Sequence, residues 1–599
     1  MRSTKRIHLT VAAMMVAGVL VGPTSRAHAG VGSCAQPLSS GAEPVASDCL
    51  YILRAAVGSV TCSNPCICEP RGTTPPKASD ALMCLKKSVG TDVALDCPCG
   101  VPDYQASKYE FDPETDIPEP LIRSRFVKTD YLGAFSQDQR VAVSDWTADW
   151  TVELHGNHTV WHPATNGTLN GATPAADGLC PFGTTDIGNT ALPSPFSGTM
   201  DICQLPARYL GDLVLTNDNV YRTASSASAG TLIGDGDAAG STEASVTHAS
   251  LTIEPGTLIL ADVAENLIIT RGSKVYVDGT KDNVVSMNSL QQWNAWLAGG
   301  TGEGDRRSWG GFVITGFATC NFCNNPVTCD STIEGITVPI YYGGTNDADN
   351  SGEISYLEVS NAGYEIPPVN SGNDLNGVTL YSIGYPTIIS YVQSNHSGDD
   401  AFEMFGGTVV VDHAVCTGAQ DDNLDSDTGF TGGYQFVVVK QFSDKGDKGF
   451  EMDNGPATQA FQGLTPVSRP NYVNTTIMNA ANPVSDNPVN LGFRTWTGAN
   501  LWNGLAMGSE KAAIQTQNGG LAAGSDRGGV LSDPNDGLMQ IHNWAINSTG
   551  SQYGDFLGST PSPADTNADI GTWYFADPNN RSIATGLGLN AFGFPPQAP

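Results

Sequence analysis

Ser397-Gly398-Asp399-Asp400-Ala401-Phe402-Glu403, Gln420-Asp421-Asp422-Asn423-Leu424-Asp425 and Asp447-Lys448-Gly449-Phe450-Glu451-Met452-Asp453-Asn454 repeat one acidic phrase. Asn373-Asp374 precedes them, so the acidic groups recur at steps of 25, 22 and 26 residues (374, 399, 421, 447). Short apolar runs lie between, such as Val409-Val410-Val411 and Phe436-Val437-Val438-Val439. A period in the twenties built from short strands predicts a mainly β, coiled solenoid. Each turn then sets its acidic cluster above the last and makes a column of carboxylates. Such a column is unfavourable unless a cation, a hydrogen-bond network or a raised pKa relieves it.

The same pattern extends in both directions. Leu251-Thr252-Ile253-Glu254-Pro255-Gly256-Thr257-Leu258-Ile259-Leu260 reads as two short strands about a Pro-Gly turn, and Trp309-Gly310-Gly311-Phe312-Val313-Ile314 continues it. Strands this short bury a core only by stacking turn on turn. The solenoid is expected over 245–550, with 551–599 a C-terminal cap or tail. Residues 126–244 read as a mixed β or cap region, in which Cys180 and Cys203 close a loop. Trp146 and Trp150 there either cover a solenoid end or stack on sugar rings, and the cap is the simpler reading. Residues 100–125 interleave Asp, Glu and Pro and read as a linker.

The first 29 residues read as a secretory signal: Arg2, Lys5 and Arg6, an apolar run, then Ala27-His28-Ala29. No other stretch is apolar enough to span a membrane as a helix. The chain has 599 residues and a formal net charge of −32, which makes nucleic acid and anionic membranes poor partners. All 14 cysteines follow the signal, and export makes disulfides the default. Residues 30–99 hold eight of them and an internal repeat, Ala46–Gly58 against Ala78–Gly90, at an offset of 32. Each copy reads as a helix with Leu50, Leu53 and Val57, or Leu82, Leu85 and Val89, on one packing face, and Ser as its N-cap. Cys320-x-x-Cys323 with Cys329 reads as a stapled surface loop.

The helical pair resembles the dockerin-like calcium-loop-plus-helix repeats of secreted bacterial proteins. Its helices match, but Glu69, Arg71, Thr73 and Thr74 stand where ligands and a Gly are expected. The module is therefore read as structural, or as a disulfide-held docking unit.

Two places suggest calcium. Asp347-Ala348-Asp349-Asn350-Ser351-Gly352-Glu353-Ile354-Ser355-Tyr356-Leu357-Glu358 fits the twelve-residue loop, with Asp347, Asp349, Ser351 and Glu358 as ligands. Against it, residues 354–359 alternate like a strand. In the column, Asp399, Asp400, Asp421, Asp422, Asp425 and Asp447 supply oxygens from neighbouring turns about 4.8 Å apart. The alternative is an Asp/Asn ladder that satisfies turn amides.

A catalytic reading comes from resemblance. Ser397-Gly398-Asp399-Asp400 is similar to the Gly-Asp-Asp segment of polygalacturonase-type hydrolases, and Asn373-Asp374 to their upstream Asn-x-Asp element. Asp374, Asp399 and Asp400 become the catalytic candidates. The Gly-His-Gly and Arg-x-Lys partners of that family are absent.

A wider resemblance covers about 245–510, through Leu251–Thr257, Leu267–Gly272, Ser308–Gly311, Tyr342–Thr345, Asp399–Thr408 and Asp421–Asp425. These segments resemble a family of secreted bacterial proteins that includes a leptospiral outer-membrane lipoprotein. The resemblance implies a right-handed, pectin-lyase-like parallel β-helix at the cell surface, with no established catalytic role. The expected protein is a secreted or surface-displayed, calcium-stabilised structural or adhesive β-helix. Its partners would be cell-envelope or extracellular polysaccharide or protein. The rival is a polysaccharide hydrolase or lyase, and a further alternative is a protein tethered through the dockerin-like module.

Overall fold

The computed structural model describes residues 44–60, 77–90, 109–136, 145–155, 176–225, 229–300, 305–322, 329–367 except 337, 374–455, 464–479, 489–509, 512–516, 538–548 and 551–555, with isolated positions and short pieces besides. The segment 1–29, the cysteines Cys34, Cys62, Cys66, Cys97, Cys99 and Cys323, the loop positions Glu69, Arg71 and Thr73, and most of 556–599 lie outside them. The chain forms two compact units, 1–102 and 103–599.

The second unit is a parallel β-helix with three faces. One turn runs through Ser250–Ile253, Leu258–Ala261 and Asn266–Ile269 before Lys274–Asp278 returns beside the first strand. Among the described residues, eleven strands make one face as a separate sheet. The other two faces fuse into one sheet, 18-stranded among the described residues, because long strands such as Gly352–Ser360, Ile388–Asn395, Val410–Thr417 and Gly433–Lys440 bend from one face to the next. The bend falls on Tyr356, Tyr391, His413, Phe436 and Asn474, which all have φ between 50° and 61°. Left-handed backbone at non-Gly residues costs about 1–2 kcal/mol each. Stacking offsets this: Tyr356 lies 4.4 Å from Tyr391, Tyr391 4.4 Å from His413, and His413 4.6 Å from Phe436, ring centre to ring centre.

Inside, like sits on like. Leu267, Phe312, Val378, Phe402, Leu424, Phe450, Leu491 and Ile514 follow one another in register down the eleven-stranded face, all buried in a single core. No single turn could bury these side chains alone, so the stack is the fold's cooperative unit.

The coil begins earlier than residue 245. Thr199–Gln204 already pairs in parallel with Asn219–Arg222, which pairs with Leu258–Ala261. Cys180 is bonded to Cys203, as the loop reading required. At the far end Ser551–Asp555 pairs with Ala512–Thr516, Tyr574 is buried in the core and Arg581–Ser582 pairs with Ala545–Ile546, so these residues belong to the coil.

The stretch expected to be a linker belongs to the second unit and straps the coil. Phe111, Ile117, Ile122 and Phe126 pack with Val410 and Val473. Gln435 holds Val127 with two hydrogen bonds of 2.8 Å, and Asn474 donates to the Tyr131 carbonyl. Four apolar side chains spaced among acids and prolines suffice for docking, although they show no helical or strand period. Trp146 and Trp150 belong to a second strap along the coil's side, neither an end cap nor an open sugar platform. Trp150 is fully buried against Tyr356 and Tyr391, and Gln393 clamps Val152 through both its amide groups.

In the first unit the helices are Ala46–Ala56 and Ala78–Ser88, joined by Cys49–Cys84. Their packing face is not the one expected. Cys49, Ile52, Ala81 and Cys84 are buried, while Leu50, Leu53, Val57, Leu82, Leu85 and Val89 are exposed, Val89 at 72 %. The disulfide fixes which sides meet. The N-caps are Val45 and Lys77, not serines, and Asp48 and Asp80 accept their amides.

Trp150→Ala removes the centre of the side strap. It is expected to destabilise the second unit by about 3–5 kcal/mol, read as a fall in the urea midpoint of the full chain.

Candidate functional site

The column forms where each turn enters a strand of the eleven-stranded face. There a side-chain oxygen accepts the amide of the equivalent residue one turn on. Asn376 Oδ1 accepts from Asp400 N (3.2 Å), Asp400 Oδ1 from Asp422 N (2.8 Å) and Asp422 Oδ1 from Lys448 N (2.6 Å). This is the amide-ladder arrangement. It explains the repeat: an Asp or Asn at this place caps an amide that the next turn would otherwise bury unpaired.

A second acidic row lies on the outer side of the same strands. Thr379, Glu403, Asp425 and Glu451 are in register, with Asp427 and Asp453 two residues beyond Asp425 and Glu451. The row is outward-facing yet covered: Glu403, Asp425, Glu451 and Asp453 are each less than a tenth exposed. Glu334 reaches in from another loop, and Asn376 Nδ2 donates to Glu334 Oε1 (3.0 Å) and to Glu403 Oε2.

Among the described residues the two rows, with Asp399, Asp421 and Asp447 beside the ladder, form four groups of three carboxylates whose ligand oxygens lie within 4.8 Å of one another: Asp399/Asp400/Asp421, Asp400/Glu403/Asp425, Asp421/Asp422/Asp447 and Asp425/Glu451/Asp453. Of the predicted ligands, Asp399, Asp400, Asp421, Asp422 and Asp425 thus share one continuous cluster. Glu334, Asn376, Glu403, Glu451 and Asp453 were not foreseen as members. Glu403 and Glu451 carry a signal, alternate positions of one strand face. Glu334 comes from a loop with no periodic relation to the column and carries none.

Basic side chains meet one end. Lys448 Nζ lies 3.3 Å from Asp422 Oδ2 and 3.0 Å from Glu451 Oε1, and also pairs with Asp447. Arg494 contacts Glu451 at 2.6 Å and Asp453 at 3.5 Å. Burial raises Glu451, but Lys448 and Arg494 outweigh it and bring its pKa down to about 2. At the other end burial pushes Asp399, Asp400 and Glu403 well above the carboxylate range, and the neighbouring acids add to it. Arg307 opposes the rise at Asp399.

The catalytic candidates separate. Asp374 and Asp399 are half-buried; Asp374 adds to the field at Glu334 and Asp399, and Asp399 to that at Asp400. Asp400 is buried and has an oxygen committed to the next turn. His396 is held against Phe442 with both ring nitrogens buried and without a hydrogen-bond partner, and burial lowers its pKa to about 4.

The twelve-residue loop does not close. Asp347 accepts the Thr319 amide (3.0 Å), and Asp349 accepts the Ser351 hydroxyl (3.2 Å). Glu358 lies well along the strand Gly352–Ser360, bonded to Ser286 and Ser360. Extended chain climbs roughly 3.3 Å per residue, so a strand carries the twelfth residue away where a helix would bring it back. Asp347, Asp349, Ser351 and Glu358 are not a four-ligand set.

Burial pushes Glu358 up to about 7 from 4.5. The folded chain therefore holds an extra proton between those values, and stability falls as pH rises from about 4.5 to 7. Glu358→Gln is expected to flatten that part of the profile and to gain at most about 3 kcal/mol above pH 7, measured by urea unfolding from pH 4 to 8. Lys448→Met leaves Asp422 and Asp447 without their basic partner and Glu451 with Arg494 alone. It is expected to cost about 3–5 kcal/mol in the presence of chelator, by the same measurement.

Compared with curated proteins and with solved structures, the chain matches none. A family model described as a pectate-lyase-like β-helix domain matches residues 241–550, just over half of the chain. The matched span includes the amide ladder, both acidic rows and the aromatic corner. The chain belongs to the pectate-lyase-like β-helix domain family.

Proposed function

We propose that this protein is an extracellular structural and adhesive β-helix, displayed at the cell surface or released, whose carboxylate ladder takes up calcium. The observation that carries this reading is how the ladder uses its oxygens. Asp400 and Asp422 face neighbouring turns and accept their amides, and Glu403, Asp425 and Glu451 are covered. A glycosidase needs two carboxyl groups open to opposite sides of one sugar bond. Acids committed to rung-to-rung bonds serve the coil instead. The long three-faced surface then offers contacts to cell-envelope polysaccharide or protein.

A second reading concerns the first unit. Leu50, Leu53, Arg54 and Val57 are exposed, and so are Leu82, Leu85, Lys86 and Val89 at the matching positions of the repeat. This duplicated face, apolar with one basic residue per copy, suits tethering to a surface protein that offers apolar pockets with an acidic rim. A Leu53→Asp/Leu85→Asp double variant should then move from the cell-bound fraction to the medium.

Reducing-sugar and unsaturated-product assays on polygalacturonate and pectin are expected to show no turnover, alike for wild type, Asp399→Ala and Asp400→Ala. Turnover that disappears in either variant would establish the hydrolase or lyase reading in its place. Thermal melting is expected to fall on chelation and recover with calcium. No bound metal and no shift would remove calcium from the proposal.

A further inference from the structure

The coil ends on an uneven edge. The strand Met539–His542 pairs in parallel with Ala499–Trp502, and among the described residues no strand pairs with its other side. Its neighbour in the same turn, Ala545–Ser548, does receive one, Arg581–Ser582. Side chains take the missing strand's place. Trp573 Nε1 donates to the Met539 carbonyl (3.4 Å), Asn580 Nδ2 donates to the Ile541 carbonyl (2.9 Å), and His542 Nδ1 lies 2.8 Å from Asp577 Oδ2. Carbonyls capped in this way make a poor template for a further strand. Between the caps and the strand lies an open pocket of about 500 Å3, lined by Met539, Ile541, His542, Trp573, Ala576 and Asp577 among others. Small-molecule sites run to roughly 300–1,000 Å3, mostly apolar with a few placed polar groups.

This pocket has the same character. Trp573 is half-buried and packs at right angles to Phe493 (5.7 Å between ring centres). Its N–H is committed to Met539, so what the indole has left to offer is ring surface. His542 stacks on Trp502, its partner in register one turn back, at 4.3 Å between ring centres. A carboxylate only accepts, so the contact with Asp577 places the hydrogen on Nδ1 and leaves Nε2 of the neutral imidazole an acceptor. Both Asp577 oxygens are engaged, because Oδ1 accepts the Asn579 amide (2.7 Å).

These groups sort the ligands. An acid would meet an acceptor nitrogen, the Asp577 carboxylate and a chain of formal net charge −32. A cation would find the one carboxylate already engaged by His542 and the Asn579 amide. A neutral molecule with a hydroxyl donor on one edge and C–H surface elsewhere meets both the imidazole and the apolar wall, and a sugar ring has that form. We propose that this pocket at the C-terminal edge of the coil binds a neutral sugar segment of an extracellular polysaccharide, with a hydroxyl on His542 Nε2 and C–H surface on Trp573. The proposal rests on the adhesive reading and gives it a ligand class and a place. Met539–His542 belongs to the 18-stranded sheet, so the site is apart from the acidic rows of the eleven-stranded face.

The test is calorimetric titration of the full chain with cellohexaose, xylohexaose, mannohexaose and maltohexaose, and with a galacturonate hexamer as the acidic probe. At least one neutral hexamer is expected to bind, and the galacturonate is not. Trp573→Ala and His542→Phe are expected to weaken that binding by about tenfold or more, the loss of a packed ring or of a hydrogen-bond partner. His542→Phe keeps a ring on Trp502, and a retained β-sheet signal shows that it folds. Phe182→Ala, which removes an exposed side chain (93 %) elsewhere on the second unit, should bind like wild type. Binding that survives both Trp573→Ala and His542→Phe, or that Phe182→Ala removes, overturns the placement. No heat with any neutral hexamer, or tighter binding of the galacturonate, overturns the ligand class. Co-sedimentation with cell envelopes reads the adhesive proposal separately. Envelopes that carry down wild type and both pocket variants alike keep adhesion and remove this pocket from it; envelopes that carry down none remove adhesion, whatever the hexamers do.

Discussion

Everything in the second unit depends on one constraint: a parallel coil sets each residue directly over its equivalent, one strand spacing of about 4.8 Å away. Whatever a position carries, it meets again. Inside, Phe402 on Leu424 on Phe450 turns this into a continuous core. At the corner, Tyr356, Tyr391, His413 and Phe436 turn a strained backbone angle into a stack of rings. Farther along the corner, asparagines replace the rings and bond to each other, as Asn543 does to Asn503 and Asn579 to Asn543.

Carboxylates are the one residue class for which repetition is unfavourable, and the coil meets this in two ways. On the turn, each acid is given a donor from the next turn, so Asp400 and Asp422 act as amide caps as much as charges. On the strand face no backbone donor is available, because the strand amides pair within the sheet. There the charge is met by a cation from the chain, as Lys448 and Arg494 do around Glu451. Glu403, Asp425 and Glu451 are covered, which makes the neutralisation matter more: covered charges gain little from water.

The stacked strands were legible because period and register leave a mark on every turn. The phrase around Asp399, Asp421 and Asp447 gave the spacing, and the spacing placed Asp399, Asp400, Asp421, Asp422 and Asp425 together. What was not legible came from segments outside the period. The strap holding Phe111, Ile117, Ile122 and Phe126 looks like a linker, because only the coil's surface gives those four side chains a common face. Glu334 enters the acidic cluster from a loop for the same reason. The twelve-residue loop matched in residue type and failed in backbone, since it is strand from Gly352 onward and Glu358 travels away with it.

The helical pair shows the same limit from the other side. Leu50, Leu53 and Val57 have a helical spacing and would form a core face in a longer helix. In an eleven-residue helix tied to its copy through Cys49 and Cys84, the covalent bond decides which sides meet. The cysteines and Ile52 then take the interior, and the leucines are left outside in duplicate. Periodicity reports which residues share a face. It does not report whether that face turns inward, and where a disulfide competes with a few leucines in so small a core, the disulfide sets the answer.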